Sequence, residues 1–247
     1  MSLIISSFNQ KKRLRLCLQS AIAQQIGPNV TDYQIIVADD NSTDGTLDML
    51  RNEFNDKITV NLSPYSEDKK YTLADNWNAA VKIIPKKFER LIFTNGDILF
   101  AKGFIEAHVD PIMQDHIIIG PAMRTYPNIL PFIDSEKYDY QQLIRAVGGA
   151  NSLAPDMRQG LIAHTYNMKD HPWNVYGYNF SVKRDHFDQV NGFPSFKQYG
   201  DEDTKLGANI INKIGCDVRT NKNALGIHLW HPQHNSQGKV TRDEYSL

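Results

Sequence analysis

Apolar and polar positions in the first hundred residues alternate between two rhythms. Ser2-Leu3-Ile4-Ile5-Ser6 is a short unbroken apolar run of the kind that forms a buried strand, after which Leu14, Cys17, Leu18, Ala21 and Ile22 recur at the spacing of one helix face. The pair then repeats. Tyr33-Gln34-Ile35-Ile36-Val37-Ala38 reads as a strand, followed by a helix with Leu47, Leu50 and Phe54 on one side. Ile58-Thr59-Val60-Asn61-Leu62 is a third strand, and Leu73, Trp77, Ala80, Val81 and Ile84 mark a helix that Pro85 stops. Arg90-Leu91-Ile92-Phe93-Thr94 is a fourth strand. This β-α-β-α-β-α-β order predicts a mainly parallel sheet with right-handed crossovers and helices on both faces, an α/β architecture.

Over residues 121–173 the rhythm breaks. Prolines, glycines and scattered polar residues predominate, with one helical pattern near residues 138–146. A stretch this long without pattern inside a compact chain predicts a binding loop or lid. Regularity returns with the apolar run Tyr178-Asn179-Phe180-Ser181-Val182, a helix carrying Leu206, Ile210 and Ile214, and a strand over residues 225–230. There is no internal repeat, low-complexity segment or inter-domain linker, so the 247 residues read as one domain.

Composition narrows the function classes. Hydrophobic residues make up 41% of the chain and aromatics 10%, which excludes disorder, collagen-like repeats and coiled coil. With 27 basic against 28 acidic residues there is no global field to recruit nucleic acid. The one dense basic cluster, Lys11-Lys12-Arg13-Leu14-Arg15, is either the solvated face of a helix or a contact for anionic lipid or acceptor. Two cysteines, Cys17 and Cys216, cannot build a disulfide scaffold, and Cys17 on an apolar helix face reads as a buried thiol in a reducing compartment. No apolar run approaches the ~18 residues of a membrane span, and Met1 leads straight into a strand rather than a secretory signal. The expectation is a soluble, cytoplasmic chain without a membrane span, open to peripheral association.

The chemistry-bearing residues follow the strands. In open α/β sheets ligands bind beyond the carboxyl ends of the strands. Here those ends read Ser6-Ser7-Phe8-Asn9, Asp39-Asp40-Asn41-Ser42-Thr43-Asp44-Gly45-Thr46 and Asn95-Gly96-Asp97, so parallel pairing would bring all three to one crevice. Turn and helix-capping chemistry accounts for Ser42 to Thr46. It does not account for Asp39 and Asp40, adjacent carboxylates directly after a buried strand, which need partners or a ligand. Asn95-Gly96-Asp97 alone could mark any strand-to-loop turn.

Taken with Ala74-Asp75-Asn76-Trp77-Asn78, these segments resemble the N-terminal half of family 2 glycosyltransferases, which have the GT-A fold. Gly177-Tyr178-Asn179-Phe180-Ser181-Val182-Lys183-Arg184, Val190-Asn191-Gly192-Phe193 and Tyr199-Gly200-Asp201-Glu202-Asp203 follow the same family's pattern. They also resemble the C-terminal region of the galactosyltransferase group, and Gly226-Ile227-His228-Leu229-Trp230-His231-Pro232 is similar to its closing histidine motif. Residues 121–173 have no counterpart. The resemblance implies a single GT-A domain, with a nucleotide-sugar-binding half over residues 1–100 and an acceptor-binding and catalytic half over residues 101–247. It implies an inverting transfer of a hexosyl or N-acetylhexosaminyl group from a UDP-sugar to the hydroxyl of a glycan, polysaccharide precursor or lipid-linked acceptor.

The implied site is specific. Ser7, Phe8, Asn9, Asp39, Asp40, Asn76, Asn95 and Asp97 would line the donor, with a uracil contact at the aspartate pair. Asp97 would be a metal ligand for Mn2+ or Mg2+, which stabilises the departing diphosphate. The family usually carries Asp-x-Asp there, and Asn95 removes one negative charge while keeping hydrogen-bonding capacity. A histidine ligand would bias the metal towards Mn2+. His228 and His231 are the candidates, and on an extended strand a spacing of three turns them to opposite faces unless the strand ends between them. Asp203 would be the general base, with Glu202 or Asp201 orienting acceptor or base. Helix-dipole stabilisation at ~0.3–1 kcal/mol each competes as an explanation of three acids at a helix start, but their mutual repulsion exceeds what that purpose needs. Trp173, Tyr176 and Tyr178 could stack on a sugar face, with core packing an equal alternative for Tyr178. Two rival functions are a nucleotide-sugar-binding protein without turnover, and a nucleotidyltransferase. The second would want a glycine-rich phosphate loop after the first strand, and residues 6–12 contain no glycine.

Overall fold

The computed structural model of the chain describes residues 1–64, 73–147, 153–155, 175–194 and 201–232. The four predicted strands form as β1 (Ser2–Ser7), β2 (Gln34–Asp39), β3 (Thr59–Leu62) and β4 (Arg90–Asn95), joined by α1 (Lys11–Ile22), α2 (Thr46–Phe54) and α3 (Leu73–Ile83). Then come β5 (Ile98–Phe100), α4 (Phe104–Ala107), β6 (Ile117–Ile119), β7 (Ala122–Thr125), α5 (Leu130–Asp134), α6 (Tyr140–Val147) and β8 (Leu153–Pro155). β9 (Asn179–Lys183), α7 (Arg184–Gln189), α8 (Glu202–Ile214), β10 (Val218–Thr220) and β11 (Gly226–His228) complete the order.

The strands form two sheets. The seven-stranded sheet runs β10-β6-β9-β4-β1-β2-β3 and is parallel except for β9, which pairs antiparallel with both β4 and β6. A smaller sheet, β5-β11-β7-β8, adjoins it at the turn after β4. β1 lies inside the sheet between β4 and β2 with every residue buried, which explains its unbroken apolar run: a parallel strand covered on both faces has no polar side to alternate with.

The larger core gathers rings around Phe93 of β4, whose centroid lies 5.5 Å from Trp77, 5.2 Å from Phe180, 5.7 Å from Phe187 and 4.9 Å from Phe193. A second cluster, including Leu16, Leu99, Ile129, Leu143, Ile227 and Trp230, seats the smaller sheet against α1 and α6. Asn78 of α3 ties this core to the following glycine-phenylalanine turn, accepting from the Phe193 amide at 2.9 Å and donating to its carbonyl at 2.8 Å.

The segment expected to be an unpatterned loop over residues 121–173 is corrected. Its described part supplies β7, α5 and β8, whose brevity hid their periodicity, while α6 forms where the helical pattern near residues 138–146 placed a helix; residues 148–152 and 156–174 lie outside the description. The strand expected over residues 225–230 shortens to Gly226–His228 because the chain turns after His228. The basic cluster on α1 is engaged within the chain, since Lys12 pairs with Asp134 at 3.3 Å and Arg15 with Glu53 at 2.7 Å and with Glu136. Cys17 and Cys216 are buried free thiols whose burial pushes their pKa up, leaving them unreactive. Among the described residues no helix is long and apolar enough to cross a membrane.

Because Phe93 is fully buried at the centre of four rings, Phe93→Ala should lower the unfolding free energy by ~3–5 kcal/mol, read as a shift in the urea midpoint.

Candidate active site

Strand register sets the geometry of one rim. Asp39 pairs with Ser7 on one side and with Leu62 on the other, Ser6 pairs with Asn95, and Thr94 pairs with Asn179. Neighbouring strands lie ~4.8 Å apart, so the ends of β2 and β4 are about 10 Å from each other across β1. The polar segments read from the sequence therefore meet along a single edge.

At the β1–β2 end the polar side chains bind one another. Asp39 is fully buried, and its two carboxylate oxygens accept from the Ser42 amide and the Ser42 hydroxyl, both at 2.7 Å. Asn9, in the left-handed region at φ 47°, accepts from the Thr43 amide at 2.7 Å, while its own amide donates to Ser42 Oγ at 2.9 Å. Asp44 fixes the start of α1 by accepting from the Lys11 amide at 3.0 Å. Burial would raise the Asp44 carboxyl, but bonds from Thr46 and the Lys11 amide outweigh it and hold the pKa below the ordinary carboxylate value. Asp39 and Asn9 thus shape the loop, Asp40 is half-buried beside them, and Phe8 stands 58% exposed at the lip. Asn76 donates to the Ala38 carbonyl at 2.8 Å, placing α3 against the end of β2. The buried Ser7 Oγ, Ser63 Oγ and Asn76 Oδ1 have no hydrogen-bond partner among the described residues. Ser63, held by Asp39 through its amide at 2.8 Å, was missed by the sequence reading, where a lone serine after β3 carries no signal.

The β4 end carries the second group. Nε2 of His228 and Nε2 of His231 lie 3.4 and 3.2 Å from the same oxygen, Asp97 Oδ2, and the three ligand atoms lie within 4.8 Å of one another. Both histidines face Asp97 because β11 ends at His228 and the chain turns back over Leu229 and Trp230. That turn is pinned at two points. The Leu229 amide donates to the Asp97 carbonyl at 2.8 Å, and the Trp230 amide donates to Thr125 Oγ1 at 2.7 Å. Thr125 is a second residue the sequence reading missed. Burial alone would raise the Asp97 carboxyl, but the two imidazoles hold its pKa well below the ordinary range, so it is an anionic ligand at neutral pH. Ligand atoms about 2.0–2.2 Å from one ion at 90–110° stand roughly 3.0–3.5 Å apart, which the two Asp97 distances match. Asp97 Oδ1 is buried without a hydrogen-bond partner among the described residues, so donor set and spacing both fit a divalent cation. Asn95 accepts from Ser6 Oγ at 3.0 Å and so sits at the rim between β1 and β4.

Asp203, in the first turn of α8, comes to the same edge. Its Oδ2 accepts from the Gly177 amide at 2.5 Å, two residues before Asn179, and its Oδ1 accepts from the Thr204 amide at 2.7 Å. The Tyr178 carbonyl accepts from Thr94 Oγ1 at 2.7 Å, which fastens this segment to β4 three residues before Asp97. Burial pushes the Asp203 pKa up, and the two amide bonds only partly oppose it. Asp201 is exposed with φ 69°, whereas Glu202 is buried, so the three acids face different surroundings and helix-dipole stabilisation does not explain them as a set. Tyr176 is half-buried and stacks on Tyr178 at 5.9 Å and 12°. Trp173 lies outside the described residues. A cavity of about 470 Å3 between α3 and α7, lined in part by Lys82, Lys86 and Arg184, opens at the opposite end of the strands and holds none of these groups.

The mostly parallel sheet with helices packed on it has the fold of the GT-A class of α/β proteins. The chain belongs to glycosyl transferase family 2, whose profile matches residues 2–187, and the profile described as the N-terminal domain of galactosyltransferase matches residues 158–234. Validoxylamine A glucosyltransferase from Streptomyces hygroscopicus subsp. limoneus is 24% identical over 242 residues, covering 94% of this chain and 52% of that protein. The uncharacterized glycosyltransferase YfnE of Bacillus subtilis (strain 168) is 24% identical over 265 residues, covering 94% and 65%. Two solved structures share the fold. Mannosyltransferase PcManGT from Pyrobaculum calidifontis, in complex with GDP-Man and Mn2+, has a TM-score of 0.59 at 18% identity and covers 92% of this chain and 56% of its own. S. aureus TarS 1-349 in complex with UDP-GlcNAc has a TM-score of 0.63 at 15% identity, covering 97% and 61%. The chain spans about half to two-thirds of the length of these proteins.

Gly177 is required by close approach: a β-carbon there would lie 2.9 Å from Trp77 Cη2 and 3.4 Å from Asp203 Oδ2. Trp77 is fully buried and cannot retreat. Gly177→Ala should therefore cost ~1–3 kcal/mol of stability by overpacking, and speed hydrogen exchange at the residue 177 amide as its bond to Asp203 opens.

Proposed function

We propose that the protein is an inverting glycosyltransferase that moves a hexosyl or N-acetylhexosaminyl group from a UDP-sugar to a hydroxyl of a glycan, polysaccharide precursor or lipid-linked acceptor. The observation that carries this reading is the Asp97–His228–His231 cluster just beyond β4, with Asp203 bonded to Gly177 two residues before β9, the strand that pairs with β4. One group suits a diphosphate and its cation, the other a proton.

Asp97, His228 and His231 would hold the cation, and two imidazoles beside one carboxylate favour Mn2+ over Mg2+. Bound there, the cation supplies Lewis-acid stabilisation of the charge on the leaving diphosphate. Ser7, Ser63, Asn76 and Asp40 offer hydrogen-bonding groups to the base and ribose, with Phe8 as an exposed ring at the lip. Asp39 and Asn9 serve the donor through the loop they shape. Asn95 stands on the diphosphate side.

Asp203 acts as general base. Its raised pKa makes it a better proton acceptor than an exposed carboxylate. The Gly177 and Thr204 amides fix its direction. Taking the acceptor proton on the side away from the diphosphate gives direct displacement and inversion. Glu202 or Asp201 orients the acceptor or the base, and Trp173 and Tyr176 offer rings to the acceptor sugar.

Asn95 supports a second reading, binding of a nucleotide sugar without turnover, because it leaves the site one carboxylate short. Transfer assays decide between the two. Asp203→Asn should abolish transfer while UDP still raises the Tm; full turnover in this variant would remove the base assignment. In the wild type, kcat/KM should fall as pH drops through a midpoint above 3.8, the ordinary aspartate value, since the base works only when ionised. UDP-sugars at ~100-fold above Kd should add ~2.7 kcal/mol of stability in the presence of Mn2+, and Asp97→Asn should remove the Mn2+ dependence of that gain. Donor-dependent stabilisation without transfer or donor hydrolysis would leave the binding-only reading.

A further inference from the structure

Away from the rim, a chain of buried polar side chains crosses the interior where the two sheets join. Arg90 Nε donates to Ser181 Oγ at 3.0 Å, Ser181 Oγ lies 2.9 Å from His108 Nδ1, and His108 Nε2 lies 2.9 Å from Asn179 Oδ1. Asn179 Nδ2 reaches the Ala224 carbonyl at 2.7 Å and the Pro121 carbonyl at 3.2 Å. His108, Ser181 and Asn179 are all at most 1% exposed.

The two ends set the direction of every bond between them. Carbonyls only accept, so the Asn179 amide group points its nitrogen at Ala224 and Pro121 and its oxygen at His108. His108 must then donate from Nε2, which leaves Nδ1 to accept from the Ser181 hydroxyl, and Ser181 Oγ in turn accepts from Arg90. Burial and the nearby Arg90 push the His108 pKa down to about 3, so the imidazole is neutral, as this pattern requires. The tautomer is thereby fixed with the proton on Nε2.

The place of Asn179 gives the chain its use. Its backbone pairs with Thr94, three residues before Asp97, while its side chain grips Ala224, four residues before His228. The Pro121 carbonyl that it also holds accepts the amide of Gly226, the first residue of β11. Gly120 is shaped to this contact, since a β-carbon there would overlap the Ala224 oxygen and Asn179 Nδ2. A buried asparagine could satisfy its amide in many ways. This one bridges the strand beside Asp97 to the segment that leads into the strand ending in His228. The pairing of His228 with Ile98 fixes β11 along its length, and Asn179 fixes its upstream end against the larger sheet.

We propose that Asn179, oriented by His108, is the positioning residue of the Asp97–His228–His231 trio, setting the span between the two sheets and so the affinity of the trio for a divalent cation. This rests on the reading of the trio as a cation site. Groups bonded directly to metal ligands typically change affinity by ~10–100-fold; Asn179 acts through the backbone leading into β11, which sets its effect at the lower end of that range.

The test uses the full chain, Mn2+ alone as probe with affinity read by electron paramagnetic resonance, and the Tm of each variant. His108→Leu removes the donor to Asn179 and should weaken Mn2+ binding of the folded protein tenfold or more, and Gly120→Ala should do the same by striking the Asn179–Ala224 bond from the other side. His108→Gln, which keeps one donor and one acceptor, should recover most of the affinity. A purely structural role would lower the Tm of His108→Leu and leave its Mn2+ affinity at the wild-type value, overturning the proposal. Wild-type protein that binds no Mn2+, or binds it unchanged as Asp97→Asn, would instead sink the cation reading. In that case the imidazole NMR signals of His228 and His231 decide positioning alone: a shift in His108→Leu supports it, and unchanged signals reject it.

Discussion

Parallel pairing of β1 with β2 on one side and β4 on the other is the constraint on which the rest of the molecule depends. Each residue of β1 is buried, so the strand cannot slide without moving apolar side chains to new neighbours across two ladders at once. That locked register fixes Ser7 against Asp39 and Ser6 against Asn95, and brings segments more than fifty residues apart in sequence to one edge. The side chains beyond the strand ends then tighten what the backbone has placed. Asp39, Ser42, Asn9 and Thr43 close the loop after β2 upon the loop after β1, and Ser6 holds Asn95.

The sequence is legible where periodicity is long and illegible where it is short. Strands of four to six residues alternating with helices of nine to twelve give β1 to β4 and α1 to α3, because each carries enough apolar positions to show a period. β5, β6, β8, β10 and β11 have three residues each, fewer than two turns of the pleat, and the smaller sheet that β5, β8 and β11 build with β7 was not foreseen. The same limit decided the histidines. Read as one strand over residues 225–230, His228 and His231 face opposite ways; with β11 ending at His228, both imidazoles reach Asp97. Asp97 and Asp203 were legible through the family resemblance, since each alone has an ordinary turn or helix-start explanation. Thr125, Ser63 and Asn179 were not, because a hydroxyl or amide that works by holding a backbone turn has no pattern of its own.

The acidic positions differ in how the protein treats charge, and this separates their roles in the proposed mechanism. Asp97 is buried yet held anionic by two imidazoles, as a ligand must be. Asp203 is buried against backbone amides, which are too few to offset its loss of water, so its pKa rises as a base requires. Asp39 spends both oxygens on Ser42. Three aspartates near one rim thus meet three different surroundings: two imidazoles, backbone amides, and the amide and hydroxyl of one serine.

Asn95 and the second sheet belong to one solution. An asparagine at that position leaves the β4 turn with a single carboxylate, and one carboxylate is a poor cage for a divalent ion. In the proposed site, imidazoles would restore the number of ligands without restoring negative charge, shifting preference from the hardest cations towards those that accept nitrogen. They can do so only if β11 arrives at a fixed height above β4, since a ligand displaced by even half an ångström leaves the narrow range of coordination distances. The strands of the smaller sheet are only three or four residues long. Side chains in the joint share its attachment with the apolar cluster against α1 and α6, and a neutral histidine beneath Asn179 is suited to that task because it is satisfied at both nitrogens and gains nothing by taking a proton.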